Sequence, residues 1–221
     1  MLVNYYQTAK HPVTIITMNI WDTRYSDPGH AYGTDPNDFL RQHFTALPMG
    51  KILSLCEGEG RNAVFLADQG YDVLAVDASH VGLSNAESLA QQRNVKIKTQ
   101  VADLAFYTIQ PNSWDGIVLI FAHLPRPVRQ RIYRQAIKGL RPAGVMLLES
   151  YGPDQLNFNT GGPKDIDLLP SLAELRNELA GLEFIIAQEI YRDVLEGKLH
   201  NGRGAVVQIV GRRSAACKAD Q

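Results

Sequence analysis

Two glutamates and two glycines follow an apolar run and could bind a nucleoside cofactor. They form the stretch Glu57-Gly58-Glu59-Gly60. Glycines permit positive φ angles and let a ligand approach the backbone. Asp77 lies about 20 residues beyond the first glycine. At this spacing in the sequence, a carboxylate can accept hydrogen bonds from both hydroxyls of a ribose. The spacing therefore predicts a site for an adenosine-type cofactor.

A strand–turn–helix–strand unit is needed to position these residues. An apolar run formed by Ile52, Leu53 and Leu55 precedes the glycines, and a helical stretch with Ala63, Leu66 and Ala67 follows them. Gly70 separates this helix from a second apolar run at 73–76, which ends at Asp77. The start of the helix leaves backbone N–H groups without intrahelical partners, directly beside the glycine turn.

Two kinds of cofactor could use this turn. Gly58, Gly60 and Ala63 satisfy the dinucleotide fingerprint with alanine in the third place, so the pattern leaves NAD or FAD open. However, the carboxylates of Glu57 and Glu59 would repel an approaching pyrophosphate. S-adenosylmethionine (SAM) has no phosphate and carries a cationic sulfonium and a cationic amino group. The acidic turn therefore favours SAM.

Residues 53–62 resemble motif I of the class I SAM-dependent methyltransferases. The variant Glu-Gly-Glu-Gly-Arg-Asn is similar to a bacterial branch near the tellurite-resistance and thiopurine methyltransferases, and the resemblance covers residues 20–212. Ser54 stands where many members have aspartate, and Cys56 where the first motif glycine is usual. The resemblance implies a Rossmann-like, doubly wound α/β fold with helices on both faces. Its sheet has about seven strands, mostly parallel, with an antiparallel final strand.

The cofactor site is predicted from this unit and from the resemblance. By resemblance, Asp103 accepts a hydrogen bond from the adenine amino group, and Tyr32 belongs to a lid at residues 19–50 that folds over the cofactor. The predicted cofactor-binding residues are Tyr32, Glu57, Gly58, Gly60, Asn62, Asp77, Ala78, Asp103, Leu104 and Phe121.

Two catalytic candidates follow predicted strands. The most apolar run of the chain, residues 117–122, is typical of a central parallel strand buried on both faces, and His123 follows it directly. Ligands in such sheets bind beyond the carboxyl ends of the strands. Because imidazole titrates near neutrality, His123 is the predicted general base. Tyr151, after the strand that begins at Val145, is a second substrate-side candidate. No metal site is predicted.

The remaining segments set the domain organisation. Residues 152–170 are rich in Gly, Pro and Asn, and we expect this loop to select the substrate together with the N-terminal cap. Two further strands, at 184–194 and 205–210, predict a closing hairpin. We expect an extension at 1–18, one domain at 19–212, and a disordered tail at 213–221.

Composition excludes several classes of function. A net charge of −1 gives no electrostatic basis for binding nucleic acid or an anionic membrane. Two cysteines provide no disulfide framework and no zinc spacing. No apolar run approaches the ~18 residues of a membrane helix, and the N-terminus has no secretion signal. A cytoplasmic protein is expected, with no particular oligomeric state predicted.

Methyl transfer from SAM to a small molecule is the function that these observations favour. The acceptor is predicted to be a thiol, chalcogenide, hydroxyl or amine, methylated by in-line displacement. Two alternatives stay open at this point. One is an NAD-dependent oxidoreductase on the same fold, and the other is a SAM-binding module without catalytic activity.

Overall fold

Helices and strands alternate along residues 20–215, the part of the chain that the computed structural model describes. The strands are β1 Lys51–Leu55, β2 Asp72–Asp77, β3 Lys98–Val101, β4 Trp114–Ile120, β5 Leu140–Tyr151, β6 Leu182–Glu196 and β7 His200–Arg213. The helices are α1 Ile20–Tyr25, α2 Asp38–His43, α3 Arg61–Asp68, α4 His80–Gln92, α5 Arg126–Gly139 and α6 Leu172–Glu178. Short 3₁₀ segments cover Phe44–Ala46, Pro153–Asn157 and Ile166–Leu168.

All strands belong to one sheet in the order β3-β2-β1-β4-β5-β7-β6. Strands β1 to β5 pair in parallel, whereas β7 is antiparallel to both of its neighbours, β5 and β6. The predicted mostly parallel sheet with an antiparallel final strand is thus confirmed. The last strand ends at Arg213, so the sheet includes the first residue of the predicted tail. Residues 1–19 and 216–221 lie outside the described part, and so does the predicted extension.

Strand β4 shows why the sheet is covered on both faces. Successive side chains of a strand point to opposite faces. Accordingly, Ile117 and Leu119 pack in a core with α5 and α6, whereas Val118 and Ile120 pack in a second core with α2, α3 and α4. All of these strand side chains are buried, which explains the continuous apolar run in the sequence.

The order of the strands reverses between β1 and β4, which are neighbours in the sheet. In doubly wound folds a crevice opens at this point, beyond the carboxyl ends of the strands. The backbone is strained at both of these strand ends: Cys56 after β1 has φ 55° and Phe121 after β4 has φ 52°. Positive φ in non-glycine residues is found preferentially at functional sites. No helix within residues 20–215 is long and apolar enough to cross a bilayer.

Candidate functional site

A cavity of about 580 Å³ lies at this switch point. This is within the ~300–1,000 Å³ range of small-molecule and cofactor sites. Its walls come from residues 21–33, the turn after β1, the ends of β2, β3 and β4, residues 161–168 and the turn between β6 and β7. The loop expected to select the substrate and the predicted N-terminal cap therefore both reach the cavity.

Most of the predicted site residues line this cavity. They are Tyr32, Glu57, Asn62, Asp77, Ala78, Asp103, Leu104, Phe121 and His123. Gly58, Gly60 and Tyr151 are not among the residues that line it. The cofactor and catalytic roles of all these residues stay predictions.

The two glycines of the turn make room for side chains of neighbouring helices. Both adopt positive φ, 62° at Gly58 and 87° at Gly60, as expected. A Cβ atom at Gly58 would lie 2.6 Å from the hydroxyl oxygen of Tyr25, and one at Gly60 would lie 2.5 Å from the Cβ of Ala86. The space beside each glycine Cα is thus filled by α1 and α4, and the approach of a ligand to this backbone stays a prediction.

Glu57 occupies the N-terminus of α3. Its Oε1 accepts hydrogen bonds from the backbone N–H groups of Asn62 (3.1 Å) and Ala63 (2.8 Å). The other carboxylate oxygen accepts from the hydroxyl of Ser54. Burial raises the pKa of Glu57, while these hydrogen bonds lower it. The helix terminus that would bind a pyrophosphate in a dinucleotide site is therefore already filled by a carboxylate.

Glu59 connects the turn to the N-terminal cap. Its Oε2 accepts a hydrogen bond from the backbone N–H of Ala31 at 2.7 Å, and its Oε1 accepts from Nδ2 of Asn85 at 3.1 Å. Next to Ala31, the hydroxyl of Tyr32 accepts a hydrogen bond from Nη1 of Arg24 at 2.8 Å. These contacts hold Tyr32 and Arg24 at the cavity wall, although the sequence offered no site role for Arg24.

Asp77 is a buried carboxylate at the end of β2. Its Oδ2 accepts from the backbone N–H of Gly58 at 2.9 Å and its Oδ1 from that of Ser79 at 2.8 Å. Burial is the main cause of its raised pKa. Each carboxylate oxygen has a second lone pair, so the pair can still receive two hydroxyl groups of a ribose. Asp103 is exposed at the cavity edge and accepts from the N–H of Ala105 at 2.7 Å.

His123 is a neutral imidazole in this structure. Its Nδ1 lies 3.4 Å from the carbonyl oxygen of Leu168, which can only accept, so Nδ1 carries the hydrogen. The lone pair is then on Nε2, which has no hydrogen-bond partner within residues 20–215. Burial lowers the pKa of His123 to about 4. The expectation that this imidazole titrates near neutrality is therefore wrong.

Tyr151 supports the cavity wall from behind. Its ring is fully buried and stacks on that of His123, with 5.7 Å between centroids and 8° between planes. It also lies 4.6 Å from the ring of Phe121. Its hydroxyl has no hydrogen-bond partner in the described chain. The predicted catalytic tyrosine is thus a packing neighbour of two cavity residues, and direct contact with a substrate stays a prediction.

His200 and Arg61 are further cavity residues that the sequence analysis missed. His200, the first residue of β7, has its ring 4.6 Å from that of Tyr32 and 4.7 Å from that of Phe121. Burial and then the charge of Arg61 lower the pKa of His200 to about 3. Arg61 is the first residue of α3. The place of Arg61 within the motif could have identified it, whereas His200 lies in a stretch of sequence without any pattern.

A buried ion network anchors the β6–β7 hairpin to the cofactor turn. Nη2 of Arg61 lies 2.6 Å from Oε2 of Glu196. Arg192 binds both Glu149 (2.6 Å) and Glu196 (2.9 Å) through Nη2. The side-chain amide of Asn37 in the cap donates to the same two glutamates. The hairpin, the cap and the turn are thereby held as one wall of the cavity.

A metal site would need several donor side chains close together. Within residues 20–215, no group of three or more His, Cys, Asp or Glu side chains is arranged to hold a metal ion.

Comparisons with known proteins agree with this geometry. Residues 52–144 match the family model described as a methyltransferase domain. No curated protein matches the chain. Among solved structures, the chain is similar to a protein from a study of the conversion of a disulfide bond into a thioacetal group during echinomycin biosynthesis. The TM-score is 0.70 at 18% identity, over 90% of this chain and 93% of that one.

Two further solved structures have the same fold. TehB from Haemophilus influenzae gives a TM-score of 0.66 at 21% identity, over 80% of this chain and 62% of that one. A SAM-dependent methyltransferase from Methanosarcina mazei gives 0.65 at 17% identity, over 82% of this chain and 100% of that one. Residues 52–144 thus match a methyltransferase domain, and these solved structures share the fold of the chain.

Proposed function

We propose that the protein transfers a methyl group from SAM to a small-molecule acceptor by in-line displacement. The observation that carries this proposal is the position of Glu57, whose carboxylate fills the N-terminus of α3. An anionic pyrophosphate is disfavoured there, whereas the cationic end of SAM finds carboxylates at Glu57 and Glu59. The bacterial branch near the tellurite-resistance methyltransferases is part of the same proposal.

The cofactor half of the cavity would hold SAM along the ends of β1, β2 and β3. Asp77 would receive the ribose hydroxyls, and Asp103 with Leu104 would border the adenine. Tyr32 would cover the cofactor from the cap. SAM supplies an already activated methyl group on its sulfonium. The protein therefore mainly has to hold donor and acceptor in line at short distance.

The lowered pKa of His123 favours some chemical classes of acceptor over others. An imidazole with a pKa of about 4 is a weak base at neutral pH, so it takes a proton from a hydroxyl or an ammonium group inefficiently. A thiolate or chalcogenide needs no proton removal by the protein. We therefore place thiols and chalcogenides ahead of hydroxyls and amines. The neighbour named for a disulfide-to-thioacetal conversion also acts on sulfur.

Calorimetric titration of the purified protein with S-adenosylhomocysteine (SAH) and with NAD tests the cofactor. Binding of SAH alone supports the proposal, and binding of NAD alone overturns it in favour of an oxidoreductase. A screen of thiols, selenite, tellurite and small phenols with SAM, read by methylated product, tests the reaction. SAH binding without product from any acceptor would favour a module that binds SAM without catalysis.

A further inference from the structure

We infer that the methyl acceptor carries a carboxylate, and that Arg61 binds it through Nη1. This inference rests on the proposed methyl transfer and names the chemical class of the acceptor. Arg61 lines the cavity, yet its side chain is only 9% exposed. One terminal nitrogen, Nη2, is bound to Glu196, whereas Nη1 has no hydrogen-bond partner within residues 20–215.

An unpaired donor on a buried guanidinium is costly. Leaving a charged group without its hydrogen bond loses more than about 1–3 kcal/mol of desolvation energy. Guanidinium groups bind carboxylates in short, charge-assisted hydrogen bonds. A carboxylate in the cavity would satisfy Nη1 without disturbing the bond to Glu196. The vacant donor therefore points to an anionic group on a ligand.

The carboxylate of SAM itself is the competing source of this group. Arg24 is a second cation at the cavity, and its guanidinium lies 4.8 Å from the centroid of the Trp21 ring while it donates to Tyr32. These partners belong to the cap, which we place over the cofactor. SAM offers one carboxylate, whereas the cavity wall offers two guanidinium groups. We therefore assign Arg24 to SAM and Arg61 to the acceptor.

The surroundings of Arg61 agree with an acceptor site. The ion network behind it contains Arg61, Arg192, Glu149 and Glu196, with Asp38 at its edge 3.9 Å from Arg192. His200 beside it stays neutral, because its pKa is lowered to about 3. Arg61 lines the same cavity as His123 and Phe121.

The substitution Arg61→Lys tests this assignment while retaining a cation for Glu196. Both proteins are saturated with SAH, and the binding of 4-mercaptobenzoate is compared with that of its methyl ester by calorimetry. We expect the wild type to bind the carboxylate at least about tenfold more tightly than the ester, as one charge-assisted hydrogen bond would give. In the lysine variant, which has a single nitrogen already bound to Glu196, this ratio should fall to about one.

Arg24→Lys is the matched control. The ligand 5′-methylthioadenosine lacks the carboxylate of SAH, so comparing the two shows whether an arginine binds the carboxylate of the cofactor or that of the acceptor. Arg24→Lys should weaken SAH while leaving methylthioadenosine unchanged, and should retain the preference for the mercaptobenzoate over its ester. If Arg61→Lys selectively weakens SAH instead, Arg61 binds the cofactor and the assignment is overturned. Equal binding of acid and ester by the wild type, or binding of neither, also overturns it. Failure of the wild type to bind SAH would contradict the proposed function before any acceptor is added.

Discussion

Replacing Asp77 by alanine should remove the ability of the protein to recognise a ribose. The carboxylate is buried and accepts backbone hydrogen bonds from Gly58 and Ser79, which orient both oxygens at the end of β2. Two ribose hydroxyls would donate to the lone pairs that remain. A hydrogen bond to a charged group contributes about 1.5–3 kcal/mol, which is about 10-fold to 150-fold in affinity for each bond.

The substitution also removes the two backbone hydrogen bonds, so a loss of SAH affinity alone is ambiguous. The 2′,3′-dideoxy analogue of SAH resolves this, because it has no hydroxyls for Asp77 to receive. The wild type should bind SAH at least about tenfold more tightly than the analogue. In Asp77→Ala this ratio should fall to about one, whatever happens to the turn. The measurement is calorimetric titration of each protein with each ligand.

Asp103→Ala is a control at the end of the neighbouring strand. We place Asp103 at the adenine, so its loss should weaken both ligands by the same factor and preserve the ratio. If Asp77→Ala weakens both ligands equally and keeps the ratio of the wild type, Asp77 acts only through the backbone of the turn. If neither affinity changes, the end of β2 is not the ribose site, and the placement of the cofactor in this cavity is refuted.

Three further predictions concern protonation and the buried charges. With a thiol acceptor, the wild type and His123→Asn should have parallel profiles of turnover against pH between about 6 and 8, because the pKa of His123 is far below this range. If the turnover of the wild type instead falls more steeply below pH 7, His123 acts as a base near neutral pH. The free energy of unfolding should fall as pH drops from about 6.5 towards 4. In this range His123 and His200 bind protons in the unfolded state but stay neutral in the folded state, where their pKa values are about 4 and 3. Urea titrations should show a shallower fall in a double asparagine variant, and equal slopes would contradict the lowered pKa values. Arg192→Met should cost about 3–5 kcal/mol of unfolding free energy, since Glu149 would be buried without its cation. Arg192→Lys should cost less in the same urea titration, and equal losses would show that the charge of Arg192 is unimportant.

The fold could be predicted because it depends on local patterns, and the same patterns bring the proposed cofactor residues to one edge of the sheet. The apolar runs give the parallel strands, and the carboxyl ends of parallel strands meet at one edge of the sheet. Residues as distant in the chain as Asp77, Asp103 and His123 therefore line one cavity, as the order of the strands predicts. Local chemistry also explains the start of α4, because Ser79 is a residue type favoured at N-caps and its hydroxyl accepts from the N–H of Gly82.

Long-range pairing of charges is what the sequence could not reveal. Arg61 and Glu196 are separated by 135 residues, and nothing in either segment indicates the partner. The basic helix α5 shows the same limitation. Its arginines predict a solvated face, yet Arg129 is 1% exposed and binds Glu178 of α6 through Nε at 2.9 Å. A periodic pattern reports the polarity of a side chain, but not whether another segment supplies the opposite charge.

The two halves of the cavity are therefore built by different physical means. Hydrogen bonds between nearby strand ends form the cofactor half, and these contacts need few residues from elsewhere. The acceptor half depends on residues 161–168 and on the β6–β7 hairpin, which reach the cofactor turn through the ion pair of Arg61 with Glu196. The hairpin also contacts the cap, because the N–H of Lys198 donates to the carbonyl oxygen of Ala31 at 3.1 Å and the ring of His200 lies 4.6 Å from that of Tyr32. We therefore expect substitutions in the hairpin to affect the proposed acceptor side directly and the proposed cofactor side through Tyr32.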